Sequence, residues 1–81
     1  MTTRALPSTA VRDALRTIAD GLRNDTPHGE FTAGDRLTVA RELANGDLAL
    51  ERDLLMRMPH ITWATTRAEY SLILDRASFG A

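Results

Sequence analysis

The sequence predicts a small all-α domain of four helices. Of its 81 residues, twelve are alanine and eleven are leucine, whereas only two are valine and three are isoleucine. Alanine and leucine favour helices, and strands prefer β-branched and aromatic residues. Apolar side chains also recur at helical spacing in stretches that glycine and proline separate, and no stretch is typical of a strand. We expect one domain over residues 8–81, preceded by a flexible leader, residues 1–7.

The first predicted helix starts at Ser8 or Thr9, either of which can cap it. It ends near Asn24, because Pro27 cannot continue a helix. An apolar stripe at spacings of four, three and four residues is formed by Val11, Leu15, Ile18 and Leu22. Gly21 interrupts the helical pattern, and we expect it to allow another helix to approach closely.

The second helix is predicted from about Thr38, its cap, to Asn45. The pair Asn45-Gly46 closes it in the left-handed conformation that ends many helices. Asp47 then caps a third helix, which runs over residues 48 to about 58. We expect the apolar side chains of this helix to fill the core: Leu48, Leu50, Leu54, Leu55, Met56 and Met58.

The fourth helix is predicted from Thr62, its cap, to about Ala77. A helical projection of residues 62–79 gives one stripe that faces the core: Trp63, Thr66, Tyr70, Ile73, Leu74 and Ala77. A second apolar stripe lies on the far side: Ala64, Ala68, Leu72 and Phe79. One polar flank consists of Arg67, Ser71, Asp75 and Ser78. A helix that is apolar on two sides is covered on both. The second stripe is therefore predicted to be a dimer or partner interface, or else to pack on the helix of Leu50, Leu54 and Met58.

Composition excludes several classes of function. The sequence has no cysteine, so it has no disulfide and no thiolate metal site. No apolar run is long enough to span a membrane, and no secretory signal is visible, so we expect a cytoplasmic protein. His28 and His60 lack the spaced partners of a metal site, and no nucleophile motif or phosphate-binding loop is present. We therefore expect no enzyme activity, no cofactor, no metal and no small-molecule substrate.

Two stretches of the chain resemble a known family. The first consists of residues 18–23, 29–37 and 41–44, and the second of residues 61–70. Taken in this order, they resemble a GntR-type winged helix-turn-helix regulator. In that family a first helix is followed by a turn of the type G-x-apolar-x-x-G-acid-x-L. The second helix comes next, and the start of a recognition helix follows further on. From the first of these residues to the last, the two stretches span residues 18–70, about two-thirds of the chain.

The resemblance implies a reduced helix-turn-helix domain without a clear β-wing, which binds double-stranded DNA and regulates transcription. The fourth helix would lie in the major groove, with its first residues meeting phosphates and base edges. The DNA-binding residues that the resemblance implies are Arg36, Arg41, Thr62, Trp63, Thr65 and Arg67. One such subunit has few cations, so it is expected to act as a homodimer on paired half-sites.

Four features depart from the pattern of that family. Residues 45–60 stand where a turn of about 3–4 residues is usual. Trp63 takes the place of a basic reader, and Glu69 would repel phosphates. The chain also ends at Ala81, where the wing is expected to begin. A second function is therefore open: a non-enzymatic protein-interaction module, such as an adaptor or inhibitor of a mobile element, that has lost its DNA contacts.

The surroundings of three arginines distinguish the two functions. A contiguous patch of Arg36, Arg41 and Arg67 would favour DNA binding, because cationic contacts to phosphates supply much of the affinity for DNA. If acidic side chains neutralise these arginines, the interaction module is favoured instead. The acids expected near them are Glu42, Glu69 and Asp75. The near balance of ten arginines and eleven acids, a net charge of −1, weakens the expectation of DNA binding.

Overall fold

The computed structural model describes residues 9–61 and 63–79, so the predicted leader, residues 1–7, lies outside the described residues. The described part forms four helices: α1 (Thr9–Asn24), α2 (Ala33–Ala44), α3 (Leu48–Arg57) and α4 (Arg67–Ser78). Within it, the only extended pairing is an isolated antiparallel bridge between Glu30 and Thr66. The predicted all-α class is confirmed.

α1 and α3 have boundaries close to the predicted ones. Asp47 caps α3, because its Oδ1 accepts a hydrogen bond from the amide of Leu50 at 3.0 Å. At the end of α2, Asn45 has a left-handed backbone, with φ of 48°, and its amide donates to the carbonyl of Arg41. Gly46 follows with φ of 94°. The prediction that this Asn-Gly pair ends the second helix is confirmed.

α2 begins earlier than predicted, at Ala33, because a capping box precedes it. The hydroxyl of Thr32 accepts from the amide of Asp35 at 3.2 Å, and the carboxylate of Asp35 accepts from the amide of Thr32 at 2.9 Å. Thr38, the predicted cap, lies inside the helix and donates its hydroxyl to the carbonyl of Gly34. The predicted start at Thr38 was therefore wrong.

α4 begins later than predicted, at Arg67, for the same physical reason. Thr66 and Glu69 form a second capping box, with distances of 3.1 Å to the Thr66 hydroxyl and 2.8 Å to the Glu69 carboxylate. The corresponding pattern that starts at Thr62 has Thr65 instead of an acid and cannot form such a box. Thr62 lies outside the described residues. The predicted helical start near residue 62 was wrong, because residues 63–66 form an irregular link.

The core lies between two helix pairs, since α1 packs mainly against α4 and α2 against α3. Phe31, in the connector before α2, stacks on Tyr70 of α4 with ring centroids 4.7 Å apart. The buried apolar side chains that form the core cluster are Val11, Ala14, Leu15, Ile18, Ala19, Leu22, Phe31, Ala40, Leu54, Met58, Tyr70 and Leu74. The predicted stripe of α1 and the central residues of the α4 stripe are therefore buried.

Two serines of α4 are buried, although the projection assigned them to a polar flank. Ser71 donates its hydroxyl to the carbonyl of Ala68 at 2.6 Å, and Ser78 donates to the carbonyl of Asp75 at 2.7 Å. Because both hydroxyls are satisfied within the helix, they can be buried without an unpaired polar group. Trp63, by contrast, was assigned to the core stripe but is 74% exposed, because it precedes the helix.

Candidate functional site

The segment predicted to open the DNA-reading helix is bound instead to the connector before α2. The amide of Phe31 donates to the carbonyl of Thr65 at 2.8 Å. The amide of Arg67 donates to the carbonyl of Gly29 at 2.9 Å. The second of these hydrogen bonds satisfies an amide that a helix start leaves open, and both fix the start of α4 against the connector. Gly29 suits this contact, because a Cβ there would lie 3.2 Å from the carbonyl oxygen of Thr26.

Arg67 is one of the predicted DNA contacts, and its side chain is held against the end of α1. Its Nε donates to the carbonyl of Asp25 at 2.8 Å, and its Nη2 lies 3.9 Å from the carboxylate of the same residue. Arg67 also lines a shallow groove of about 360 Å³ together with Asp25 and Glu42. Asp25 therefore accompanies this guanidinium, and Glu42, one of the expected neutralising acids, lines the same groove.

Arg36 has a structural position that the sequence interpretation did not anticipate. It is 7% exposed. Its Nη2 donates to the carbonyls of Leu55 at 2.7 Å and Met58 at 2.9 Å, and its Nε donates to Met58 at 3.2 Å. A cation at this point meets the negative end of the α3 dipole. The prediction that Arg36 contacts phosphate on the surface is corrected, because its guanidinium is buried and bound to carbonyl oxygens.

The remaining predicted DNA contacts that the structure describes differ in exposure and in their partners. Arg41 is exposed, with its Nε 3.8 Å from the carboxylate of Glu51. Thr65 is buried, and its hydroxyl donates to the carbonyl of Trp63 at 3.2 Å. Because Arg36 is buried, Arg36, Arg41 and Arg67 do not form the contiguous exposed patch that would favour DNA binding within the part of the chain that the structure describes.

Two of the acids expected to neutralise these arginines have other partners. Glu69 completes the capping box of α4. Asp75 accepts a hydrogen bond from Nη1 of Arg23 at 2.6 Å, and Asp20 binds the same guanidinium. The hydrogen bond to Asp75 raises the pKa of Arg23 above its ordinary value, against the opposing effect of burial. This ion pair joins α1 to α4.

The predicted partner interface on α4 contains two large exposed apolar side chains. Leu72 and Phe79 are 63% and 67% exposed. They lie seven residues apart and thus on the same side of the helix. The guanidinium of Arg16, from α1, lies over the Phe79 ring at 5.8 Å from its centroid. Ala68 of the same predicted set is half-buried, whereas Ala64 lies in the link before α4.

A second exposed apolar surface lies along α3, and the sequence interpretation missed it. Leu48 and Met56 are 77% and 78% exposed, although both were predicted to fill the core. They border a depression of about 520 Å³, here called the α3 groove. It is lined by Leu48, Glu51, Arg52, Leu55, Met56, Arg57, Met58, Pro59 and His60. Apolar residues occur all around α3 in the sequence, so their spacing alone could not show which of them face solvent.

The described residues include neither a cluster that could hold a metal ion nor a helix that could cross a membrane. Among them, no group of three or more histidine or acidic side chains could hold a metal ion. None of the four helices has the length and apolar character needed to cross a membrane.

Burial raises the pKa of Tyr70 to about 12, although Arg36 partly offsets this effect. The hydroxyl of Tyr70 donates to the carbonyl of Pro59 at 2.6 Å, which gives it a structural partner.

No known protein family, curated protein or solved structure matches this chain. The resemblance to GntR-type regulators therefore rests on the quoted residues alone.

Proposed function

We propose that this protein is a non-enzymatic protein-interaction module. The observation that supports this function most strongly is a contrast between its arginines and its apolar side chains. Arg36 and Arg67, two of the three arginines expected to meet phosphate, donate to carbonyl oxygens of the chain itself. Large apolar side chains are meanwhile exposed on α3 and α4, where contact with another protein would remove them from water.

DNA binding has weaker support from these contacts. Arg67 already donates to Asp25, which leaves fewer of its donors for phosphate, and Arg36 could reach phosphate only by uncovering the end of α3. The cost of breaking such contacts subtracts from any affinity gained. The overall charge of −1 adds no general attraction to DNA.

Self-association is the simplest form of this function, and the outer face of α4 suits it. In a two-fold antiparallel pairing centred between residues 75 and 76, Leu72 of one copy would face Phe79 of the other. The same symmetry would bring Arg76 of one copy to Asp75 of the other. Arg76 forms no ion pair with any residue that the structure describes, so it is available for this contact.

Sedimentation velocity over a range of protein concentrations tests this proposal. We expect the wild-type chain to self-associate and Leu72→Glu to remain monomeric, because an exposed charge would then lie in the apolar contact. Ala49→Glu, at an exposed position of α3, is the matched control and should behave as wild type.

A parallel anisotropy titration with a fluorescent DNA duplex, at low and moderate salt, separates the two functions. Salt-dependent binding at micromolar protein that Arg41→Ala weakens would favour DNA binding instead. A wild-type chain that stays monomeric at all concentrations would contradict self-association through α4.

A further inference from the structure

The α3 groove has the composition of a protein-binding surface. Its walls are formed largely by leucine, methionine and proline, and Met58 forms part of its floor because it is almost fully buried. Flexible methionine side chains adapt to apolar partners of different shape. Leu48 and Met56, by contrast, project along the rim with most of their surface in water. An apolar partner could therefore contact the floor of the groove at Met58 and the two exposed side chains of Leu48 and Met56 at its rim.

The lining of this groove includes more basic than acidic side chains. Among the described residues that line it, Arg52 and Arg57 are basic and only Glu51 is acidic. The carboxylate of Glu51 lies 3.8 Å from Nε of Arg41, so its charge is partly compensated from α2. Arg52 is exposed and forms no ion pair with any residue that the structure describes, so its charge is open to a partner. A partner with acidic residues at its edges would match the groove electrostatically.

The length of the groove suits a helix. α3 has ten residues and is thus about 15 Å long, which matches roughly three turns of a second helix. Apolar anchors at positions i, i+3 or i+4, and i+7 of such a helix would lie along one line. Nucleic acid fits less well, because its phosphates would have to cover leucine and methionine side chains.

We propose that the α3 groove binds an amphipathic helix of a different protein, one whose apolar anchors are flanked by aspartate or glutamate. This inference goes beyond the proposed self-association, because it concerns another face of the molecule and another partner. Leu48 and Met56 provide the apolar contact, and Arg52 selects the charge of the partner.

Fluorescence anisotropy with two labelled helical peptides tests the inference. Both peptides, of about 14 residues or four turns, have leucine at the anchor positions; one has glutamate beside them and the other lysine. The full-length protein should bind the glutamate peptide at least about tenfold more tightly than the lysine peptide. Arg52→Glu should reverse this preference, and Met56→Glu should weaken binding of the glutamate peptide at least about tenfold.

Leu72→Glu is the matched control, because it alters the α4 face and leaves the α3 groove intact. This variant should abolish self-association and leave peptide binding unchanged. The two measurements therefore distinguish a failure of the proposed self-association from a failure of the proposed peptide binding. Three results would overturn the inference. These are equal or absent binding of both peptides, peptide binding that is insensitive to Met56→Glu, and self-association that Met56→Glu abolishes, since a second copy would then occupy the groove.

Discussion

The guanidinium of Arg36 binds the last turn of α3, with its Nη2 donating to the carbonyl oxygen of Leu55 at 2.7 Å. The same side chain makes two further hydrogen bonds to the carbonyl of Met58. Carbonyl groups at the end of a helix have no partner within it, and here a cation from α2 satisfies them. Arg36 thus joins α2 to the end of α3, and both residues whose carbonyl groups it binds line the α3 groove.

Replacement of Arg36 should therefore reduce the stability of the whole domain. We expect Arg36→Leu to lower the free energy of unfolding by about 3 kcal/mol, because buried carbonyl groups would lose charged donors. Urea denaturation measures this change. Arg52→Leu, at an exposed position, is the control and should shift it by less than about 0.5 kcal/mol. Equal effects of the two variants would contradict the structural role of Arg36.

The role of Arg36 illustrates what the sequence could not predict. An arginine within an amphipathic pattern is usually solvated, and its partners here lie about twenty residues away, on a different helix. Only the tertiary packing of α2 on α3 brings the carbonyl groups to it. The same reason applies to Met56, whose exposure depends on which side of α3 is covered by the other helices.

The helix count and most helix ends, in contrast, follow from local chemistry. The Asn45-Gly46 pair and the Asp47 cap act within a single turn, so the sequence predicts them correctly. The start of α4 was also readable, because Thr66 and Glu69 have the spacing of a capping box. Thr62 as a possible cap favoured an earlier start, and the hydrogen bonds of residues 65 and 67 to the connector exclude it.

The two capping boxes lead to a prediction that contrasts three threonines. Thr66→Ala and Thr32→Ala should each lower the free energy of unfolding by about 1 kcal/mol, because the amide at the third helical position loses its acceptor. Thr38→Ala should be neutral or raise it by a few tenths of a kcal/mol, because Thr38 lies inside α2 and alanine favours helices. Urea denaturation of the three variants checks this order. A larger loss for Thr38→Ala than for Thr32→Ala would show that α2 starts at the later position.

Tyr70 makes stability depend on pH in the alkaline range. Burial raises its pKa to about 12 in the folded chain, from an ordinary value of 10.0. Between these values the unfolded chain loses the proton while the folded chain keeps it. The free energy of unfolding should therefore be highest below pH 10 and fall as pH rises, by up to about 1.4 kcal/mol per pH unit.

The composition makes this titration easy to assign. Tyr70 is the only tyrosine, and the sequence has neither lysine nor cysteine, the other side chains whose ordinary pKa lies near this range. Tyrosinate absorbance gives the pKa, and urea denaturation at each pH gives the stability. In Tyr70→Phe the alkaline fall should disappear, while stability at neutral pH drops by about 1 kcal/mol because the hydrogen bond to Pro59 is lost. A tyrosine that titrates near its ordinary pKa would contradict this account.

Gly21 gives a prediction in the opposite direction, toward higher stability. We expected this glycine to allow a close helix contact, but a Cβ at this position would meet no atom within 4 Å. Gly21→Ala should therefore raise the free energy of unfolding by about 1 kcal/mol, because alanine favours the interior of a helix. Gly46→Ala is the matched control and should lower it, since the φ of 94° at Gly46 strains any residue with a Cβ. Urea denaturation compares the two, and a loss of stability in Gly21→Ala would mean that another chain packs against α1 at this glycine.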